Sequence, residues 1–279
     1  MNLLYPLFYL IGKAPSPLVY GLAGVARFIA FSLFGYRKKV IIKQLKDSFP
    51  SKSNSEIQAI YIAFSKNLSH VLFESLFLFG KSWNFFKRRV SFQGGPELQK
   101  ALNQKSQIIV CGHMANWEWG SLIQQKLELK QPVFAAYHPL KNKLFDKVVR
   151  KSRERFGIQL IPMHQMAKTM LQHRNKSALF ILIADQCPAK INNAIWVDFL
   201  NHPDTPFING PEKLVQKMEF GLFYGAAQRT QKGHYTYTLS PLTTEQPTHS
   251  FARALEANIH EHPEQWLWSH RRWKRTKPQ

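Results

Sequence analysis

From residue 107 onward the sequence alternates between short apolar runs and longer amphipathic stretches. The apolar runs predict strands at 107–111, 132–137, 158–161, 179–184, 220–227 and 234–240. The amphipathic stretches between most of them predict helices at 117–127, 141–156, 165–173 and 211–218. Because strands that alternate with helices form sheets covered by helices, this pattern predicts an α/β fold with a mixed, largely parallel sheet.

The junction after the first of these strands carries His113 and Glu118. Catalytic groups of α/β proteins collect at the carboxyl ends of strands. Two residues five apart on one continuous helix point about 140° apart, whereas a helix that begins between them lets the loop fold His113 back over its first turn. We therefore predict a hydrogen bond between the His113 imidazole and the Glu118 carboxylate, which would orient His113 as a general base.

A second acidic candidate, Asp185, directly follows the apolar run 179–183. An aspartate at a strand's carboxyl end is placed like a site residue, and it is placed equally well to cap the next turn. The stretch 141–155 carries several basic residues, and most of them fit a solvated helix face. One or two of these cations are candidates to bind a substrate phosphate or to polarise a carbonyl.

The chain has two cysteines, Cys111 and Cys187. Two cysteines do not make a disulfide framework, so a reducing compartment is expected. Their positions relative to His113 match no CxxC or HxxxH spacing, and we expect neither a metal nor a cofactor. Cys111 lies two residues before His113 on the same predicted strand face, which makes it the rival candidate as a covalent nucleophile. A buried structural cysteine is the commoner case.

The first 35 residues are the most apolar part of the chain, and residues 18–35 carry one charge, Arg27. Spanning a bilayer takes about 20 apolar residues, and a central arginine costs about 2.5–3.5 kcal/mol. Residues 1–40 are therefore predicted to be a membrane anchor that crosses the bilayer or lies in its plane, with an apolar hairpin packed on the domain as the alternative. The basic residues Arg37, Lys38 and Lys39 follow at once, and this flank would keep the remaining domain, 41–279, on the cytoplasmic side.

The formal net charge of +21 predicts an anionic partner: nucleic acid, an acidic substrate or an anionic membrane surface. The apolar N-terminus favours the membrane over nucleic acid, which we do not expect as a partner. A non-catalytic basic protein on anionic lipid or nucleic acid stays an alternative, although it leaves His113 and Glu118 unexplained. The predicted membrane or anion contacts are Arg37, Lys38, Lys39, Arg271, Arg272 and Lys274.

Several separated motifs resemble one family. His113 with Glu118 resembles the H-x4-D/E signature of glycerolipid acyltransferases. Further motifs follow in the order expected of the lipid A biosynthesis (lauroyl/myristoyl) acyltransferase family: Tyr137-x-Pro139, Arg153-x-Arg155-Phe156-Gly157, Asp185-Gln186-x-Pro188, Phe199 with Thr205-Pro206 and Gly210-Pro211, and Pro263-Glu264-Gln265-x-x-Trp268-x-His270-Arg271-Arg272-x-Lys274. The resemblance covers nearly the whole chain, and the closing motif gives it specificity.

The resemblance implies a single glycerolipid-acyltransferase-like domain on the cytoplasmic face of the bacterial inner membrane. Members move a fatty acyl chain from an acyl carrier protein thioester to a lipid A precursor. By matched position His113 is the base and Glu118 its partner. Candidate contacts to the substrate or the oxyanion are Asn116, Arg153, Arg155, Asp185 and Gln186.

Two positions depart from the family pattern. His138 stands where the family often has arginine, and Asn201 follows Phe199-Leu200 where glycine is common. These departures concern the acceptor, so another lipid such as an aminolipid or a lysophospholipid is an alternative to the lipid A precursor. Acyl-CoA is the alternative donor. A basic surface would attract an acidic carrier protein and the anionic acyl-CoA equally well, so only the resemblance favours the carrier protein.

Overall fold

A computed structural model describes residues 4–278, so the first three residues of the predicted anchor and the final residue of the chain lie outside it. The helices are α1 (Leu4–Lys13), α2 (Ser16–Arg27), α3 (Lys38–Ser48), α4 (Asn54–Glu74), α5 (Phe77–Gly80), α6 (Trp83–Lys87), α7 (Gly95–Leu102), α8 (Ile123–Lys126), α9 (Lys143–Arg153), α10 (Met163–Gln172), α11 (Gly210–Met218) and α12 (Pro247–Glu261). The strands are β1 (Val90–Gln93), β2 (Gln107–Cys111), β3 (Val133–Tyr137), β4 (Gln159–Pro162), β5 (Leu179–Ile183), β6 (Ile195–Phe199), β7 (His202–Phe207), β8 (Gly221–Gln231) and β9 (His234–Pro241).

The main sheet has seven strands in the order β1-β9-β8-β2-β5-β3-β4. Every neighbouring pair is parallel except β8 and β9, which form an antiparallel hairpin. Strands β6 and β7 form a separate antiparallel pair. The predicted α/β fold with a mixed, largely parallel sheet is confirmed. Since β2, β3, β4 and β5 run in the same direction, their carboxyl ends meet at one edge of the sheet.

The six predicted strands correspond to β2, β3, β4, β5, β8 and β9, with ends that differ by a few residues. The predicted helix 117–127 is instead a 3₁₀ segment, Trp117–Leu122, followed by the short α8. Two tryptophans and Gly120 are weak helix formers, and 3₁₀ geometry is common where an α-helix begins.

Alternate residues of the central strands point to opposite faces of the sheet, and both faces are covered. On one face, Ile108 and Val110 of β2 belong to a large core that includes residues of α4 and α12. On the other face, Ile109 belongs to a smaller core with residues of α7 and α8. Because both sides of these strands are buried, their sequences are continuous apolar runs and do not alternate between polar and apolar residues.

The N-terminal helices pack on this domain, α1 against α5 and α2 against α4. α2 continues through a π-helical turn, Phe28–Leu33, so that Ser16–Leu33 forms a helix long and apolar enough to cross a membrane, and only 17 % of it is buried. Its exposed large side chains are Leu18, Leu22, Val25, Phe28, Ile29 and Leu33. The structure thus contains the apolar, candidate membrane-associating helix that the sequence predicts. The predicted boundary at residue 40 falls inside α3.

Candidate active site

His113 and Asp185 meet at the carboxyl edge of the sheet because their strands are neighbours in register. Cys111 at the end of β2 pairs with Ile183 at the end of β5, and each functional residue follows two positions later. The two atoms His113 Nδ1 and Asp185 Oδ1 lie 2.6 Å apart. The hydrogen-bond partner of His113 is therefore Asp185, and the predicted hydrogen bond between His113 and Glu118 is wrong.

The Asp185 carboxylate is buried and held by several donors. Its Oδ2 accepts hydrogen bonds from the His113 backbone N–H at 2.8 Å and from the Trp266 indole N–H at 2.9 Å. Burial by itself raises the pKa of Asp185, but the His113 side chain and these hydrogen bonds outweigh it and hold the pKa at about 2. Asp185 is thus ionised throughout the physiological pH range.

The pKa of the His113 imidazole is shifted upward by its contact with Asp185. Burial lowers its pKa, while the charge of Asp185 and the hydrogen bond to it raise the pKa by more, so that the net shift is upward. The other ring nitrogen, Nε2, lies 3.5 Å from the Gln186 amide nitrogen, and both residues line a cavity. His113 is therefore oriented through Nδ1 and presents Nε2 to whatever occupies that cavity.

Glu118 forms an ion pair with Arg153. The Arg153 guanidinium donates through Nε to Glu118 Oε2 at 2.7 Å and through a second nitrogen to Oε1, which is a bidentate pairing. The 3₁₀ segment that begins at Trp117 places Glu118 next to the C-terminal end of α9, where Arg153 lies. Both side chains line the same cavity as His113. The site therefore contains two acid–base pairs: His113 with Asp185, and Arg153 with Glu118.

The cavity has a volume of about 300 Å³ and extends from these pairs along one face of the sheet. The wall formed by the sheet includes Ile109, Ile181 and Ala135. These residues pair across the neighbouring strands β2, β5 and β3. Gly225 and Leu239 line the cavity on the β8 and β9 side. The arrangement is a polar entrance above an apolar slot, which suits a ligand with one reactive polar end and a hydrocarbon chain.

Cys111 also lines the cavity, but its chemistry does not favour covalent catalysis. Burial and the nearby Asp185 charge raise the pKa of the Cys111 thiol to about 12. Since the thiolate is the reactive form, a thiol held protonated at neutral pH is a poor nucleophile.

The turn that carries His113 is fixed from behind. Ala115 has a left-handed backbone (φ +46°), and its N–H donates to the Gln265 carbonyl at 2.9 Å. Met114 bridges to Trp266 in an antiparallel pairing. A left-handed alanine is uncommon and persists where the surroundings hold it. The closing motif of the chain therefore holds the turn that carries His113 as well as Asp185.

Asn116 belongs to a buried polar network and not to the cavity wall. Its amide donates to Glu74 Oε2 at 2.9 Å, while its side-chain oxygen accepts from the Trp119 N–H at 3.2 Å. Glu74 also accepts from Tyr235 and, at 2.8 Å, from Tyr20 on α2. The structure thus places Asn116 as the cap of the 3₁₀ segment, which corrects its predicted place among the substrate contacts.

We expect Glu74→Ala to lower the free energy of unfolding by about 3 kcal/mol or more. The substitution leaves the buried donors of Asn116, Tyr235 and Tyr20 without their acceptor, and each unsatisfied buried group costs about 1–3 kcal/mol. Denaturant unfolding in detergent measures this loss. Glu245→Ala, an exposed change in the loop before α12, is the matched control and should change stability by no more than about 0.5 kcal/mol. Equal effects of the two variants would contradict this role of Glu74.

The remaining predicted contacts divide between the surface and the interior. Arg155 donates to the carbonyls of Leu78 and Lys81 and ties the α9 end to α5, so its predicted substrate contact is not supported. Arg272 is fully buried against the rings of Phe207 and Phe199, which excludes the predicted headgroup contact. The exposed members of the predicted set are Arg37, Lys38, Lys39, Arg271 and Lys274.

Within residues 4–278, no group of three or more His, Cys, Asp or Glu side chains is arranged to hold a metal ion. The chemistry of the site can be derived from the two acid–base pairs and the apolar slot. A neutral imidazole oriented by a carboxylate can accept a proton, and a guanidinium across the same entrance can stabilise negative charge.

A comparison with known proteins identifies the family of the chain. A search of curated proteins gives no significant match. A family model described as bacterial lipid A biosynthesis acyltransferase matches residues 5–275, which is nearly the whole chain. The protein therefore belongs to the bacterial lipid A biosynthesis acyltransferase family and is an acyltransferase enzyme.

Proposed function

We propose that the enzyme transfers a fatty acyl chain from an acyl carrier protein thioester to a hydroxyl group of a lipid A precursor, with His113 as the general base. The observation that carries this proposal is the position of His113 at the entrance of the apolar slot, with Nδ1 bound to Asp185 and Nε2 toward the cavity. The slot would hold the acyl chain, and the acceptor hydroxyl would approach from the polar entrance.

In the proposed reaction, His113 Nε2 removes the proton from the acceptor hydroxyl as its oxygen attacks the thioester carbonyl carbon. Asp185 stabilises the imidazolium that forms, because its ionised carboxylate lies at the Nδ1–H. The tetrahedral intermediate then collapses to the ester product and expels the thiolate of the donor. The thiolate takes up the proton from the His113 imidazolium and leaves as the free thiol. These reaction steps return His113 to its neutral state.

Arg153 is the candidate to stabilise the oxyanion of that intermediate. Its guanidinium lines the cavity entrance and is fixed by Glu118, so its charge is oriented before the reaction begins. Glu118 thereby becomes a positioning residue for Arg153, whereas the family resemblance implies that it partners His113. Gln186 is the second candidate for contact with the reacting groups because it lies beside Nε2.

We also propose that the enzyme works on the cytoplasmic face of the bacterial inner membrane. The exposed apolar side chains of Ser16–Leu33 and the exposed basic residues Arg37, Lys38 and Lys39 that follow support this location. A comparison of lipid extracts by mass, with and without the gene, tests the function. The proposal predicts that lipid A loses one acyl chain, and loss from a phospholipid or aminolipid would contradict it.

We expect Ala135→Phe to shift the products toward shorter acyl chains. Ala135 lies on the wall of the slot formed by the sheet, where a phenyl ring would occupy space that the chain otherwise fills. Each methylene that no longer fits forfeits about 0.8 kcal/mol of burial, or about fourfold in affinity. Competition between carrier-protein thioesters of different lengths, read by mass, measures the shift. Ala135→Ser is the size-matched control, and an unchanged preference in Ala135→Phe would exclude this slot as the acyl site.

A further inference from the structure

A second recess lies between α2, α4 and the turn that joins β8 to β9, away from the catalytic slot. It consists of two cavities of about 700 and 310 Å³ that share Ala63, Lys66 and His70 as walls. Arg27 of α2 lines the first cavity, and Arg229 and Lys232 line the second. The recess therefore adjoins the helix that carries the exposed apolar side chains.

The charge in this recess is strongly positive. Arg27, Lys66, Arg229 and Lys232 line its walls with a single carboxylate, Glu264, and across residues 4–278 none of the four cations forms an ion pair. A cluster of cations without partner carboxylates favours an anionic ligand.

The Arg229 guanidinium is held by neutral acceptors. Its guanidinium donates to His70 Nδ1 at 2.7 Å and lies 3.4 Å from the Asn67 side-chain oxygen. Burial, followed by the surrounding cations, lowers the pKa of His70 to about 4, so that His70 is neutral at pH 7. A neutral His70 orients Arg229 without cancelling its charge.

Arg27 places the recess next to the candidate membrane-associating helix. A charged residue within a membrane-associated helix normally faces protein or a polar cavity, and Arg27 lines this recess while its helix neighbours Val25 and Phe28 are exposed. Lys232 packs over the ring of Tyr20 on the same helix, 4.4 Å from its centroid. A lipid whose chains lie along the exposed face of α2 would place its headgroup beside these cations.

We propose that this recess binds the phosphate headgroup of an anionic membrane phospholipid through Arg27, Lys66, Arg229 and Lys232. Arginine and lysine are the side chains that bind phosphate oxygens. The planar guanidinium of arginine donates two parallel hydrogen bonds, and lysine supplies a positive charge on a flexible side chain. The inference rests on the proposed membrane location and is independent of the acyl-transfer reaction.

The recess also touches the back of the catalytic turn. The Gln265 side chain accepts a hydrogen bond from the backbone N–H of Arg229 at 2.7 Å, and the Gln265 backbone carbonyl accepts from the backbone N–H of Ala115. The next residue, Trp266, donates to Asp185. A phosphate held on Arg229 would therefore lie next to the segment that fixes the active site.

The test uses the full chain in detergent micelles and measures the apparent Kd for phosphatidylglycerol by native mass spectrometry, with phosphatidylcholine as the neutral comparison. The test variant is K66Q/K232Q, since both lysines are exposed and the fold should tolerate the change. Each lysine near an anionic surface contributes about fivefold, so the double variant should weaken phosphatidylglycerol binding about thirtyfold. Binding of phosphatidylcholine should stay the same.

The control is K100Q/K130Q, which removes the same charge from exposed sites on α7 and in the loop before β3. It should change phosphatidylglycerol binding by about threefold or less. Equal weakening in both double variants would assign the effect to overall charge and overturn the proposal. Thermal stabilisation by inorganic phosphate that depends on Lys66 and Lys232, with unchanged lipid binding, would make the ligand a free anion and also overturn it. A protein that binds the lipid as predicted but transfers no acyl chain would refute only the proposed function.

Discussion

His113→Ala should lower the rate of acyl transfer by about a thousandfold or more, while the acyl donor still binds. General acid–base catalysis contributes about 10²- to 10⁴-fold, and the oriented imidazole at the slot entrance is the base in the proposed reaction. The slot itself is unchanged by the substitution, so KM for the acyl thioester should change little. Single-turnover transfer from a carrier-protein thioester in detergent measures the chemical step.

Cys111→Ala is the control for that experiment, because Cys111 lines the same cavity and is the rival nucleophile. Because the pKa of the Cys111 thiol is raised to about 12, this thiol should be dispensable, and we expect the variant to stay within about threefold of the wild-type rate. If His113→Ala retained wild-type turnover and Cys111→Ala lost it, with an acyl-enzyme trapped in the wild type, the general-base mechanism would be wrong.

Much of the fold is predictable from the sequence because the buried strands are apolar on both faces. The runs that form β2, β3, β4 and β5 stand out from their surroundings for this reason. The strands that the sequence does not predict, such as β1 and β6, contain polar and exposed positions between the buried ones, so no continuous apolar run marks them. Their pairing depends on partners distant in the chain, and local sequence does not encode it.

The candidate site is predictable in its residues but not in its pairing. The sequence points to His113, Glu118, Arg153 and Asp185, all of which the structure brings to one edge of the sheet. Spacing along the chain favours Glu118 as the partner of His113. The sequence feature that indicates the correct partner is that His113 and Asp185 each follow an apolar strand. If these two strands are parallel neighbours, the two side chains lie together at the same edge of the sheet.

The C-terminal motif shows where composition misleads. Alternating tryptophan and basic residues suit a membrane interface, yet Trp266, Trp268 and Arg272 are buried in the core. An indole that donates to a buried carboxylate and an indole at a membrane surface have the same sequence pattern. The motif instead holds Asp185 and the turn that carries His113, and its exposed basic residues are Arg271 and Lys274.

Asp185→Asn should lower kcat by about a hundredfold or more and move the acid limb of the rate profile to lower pH. His113 must be neutral to accept a proton, so in the wild type the rate falls as pH decreases through its raised pKa. Without the Asp185 charge and its hydrogen bond, the two largest influences that raise the pKa of His113 are lost, so burial lowers that pKa and the base stays neutral to a lower pH. Its imidazolium is also less stable, because asparagine cannot compensate that charge in the transition state.

The comparison that decides between the two carboxylates is Glu118→Gln, measured over the same pH range. Glu118 is bound to Arg153, so its loss should impair stabilisation of the oxyanion and lower kcat, while the acid limb should move less than in Asp185→Asn. Asp198→Asn, an exposed change on β6, should leave both quantities at wild-type values. A large displacement of the acid limb in Glu118→Gln together with an unmoved limb in Asp185→Asn would restore the His113–Glu118 pairing as the catalytic one. The pH profile is the right measurement because loss of the partner carboxylate must lower both the rate and the pKa of the base, whereas a fall in rate alone does not identify that partner.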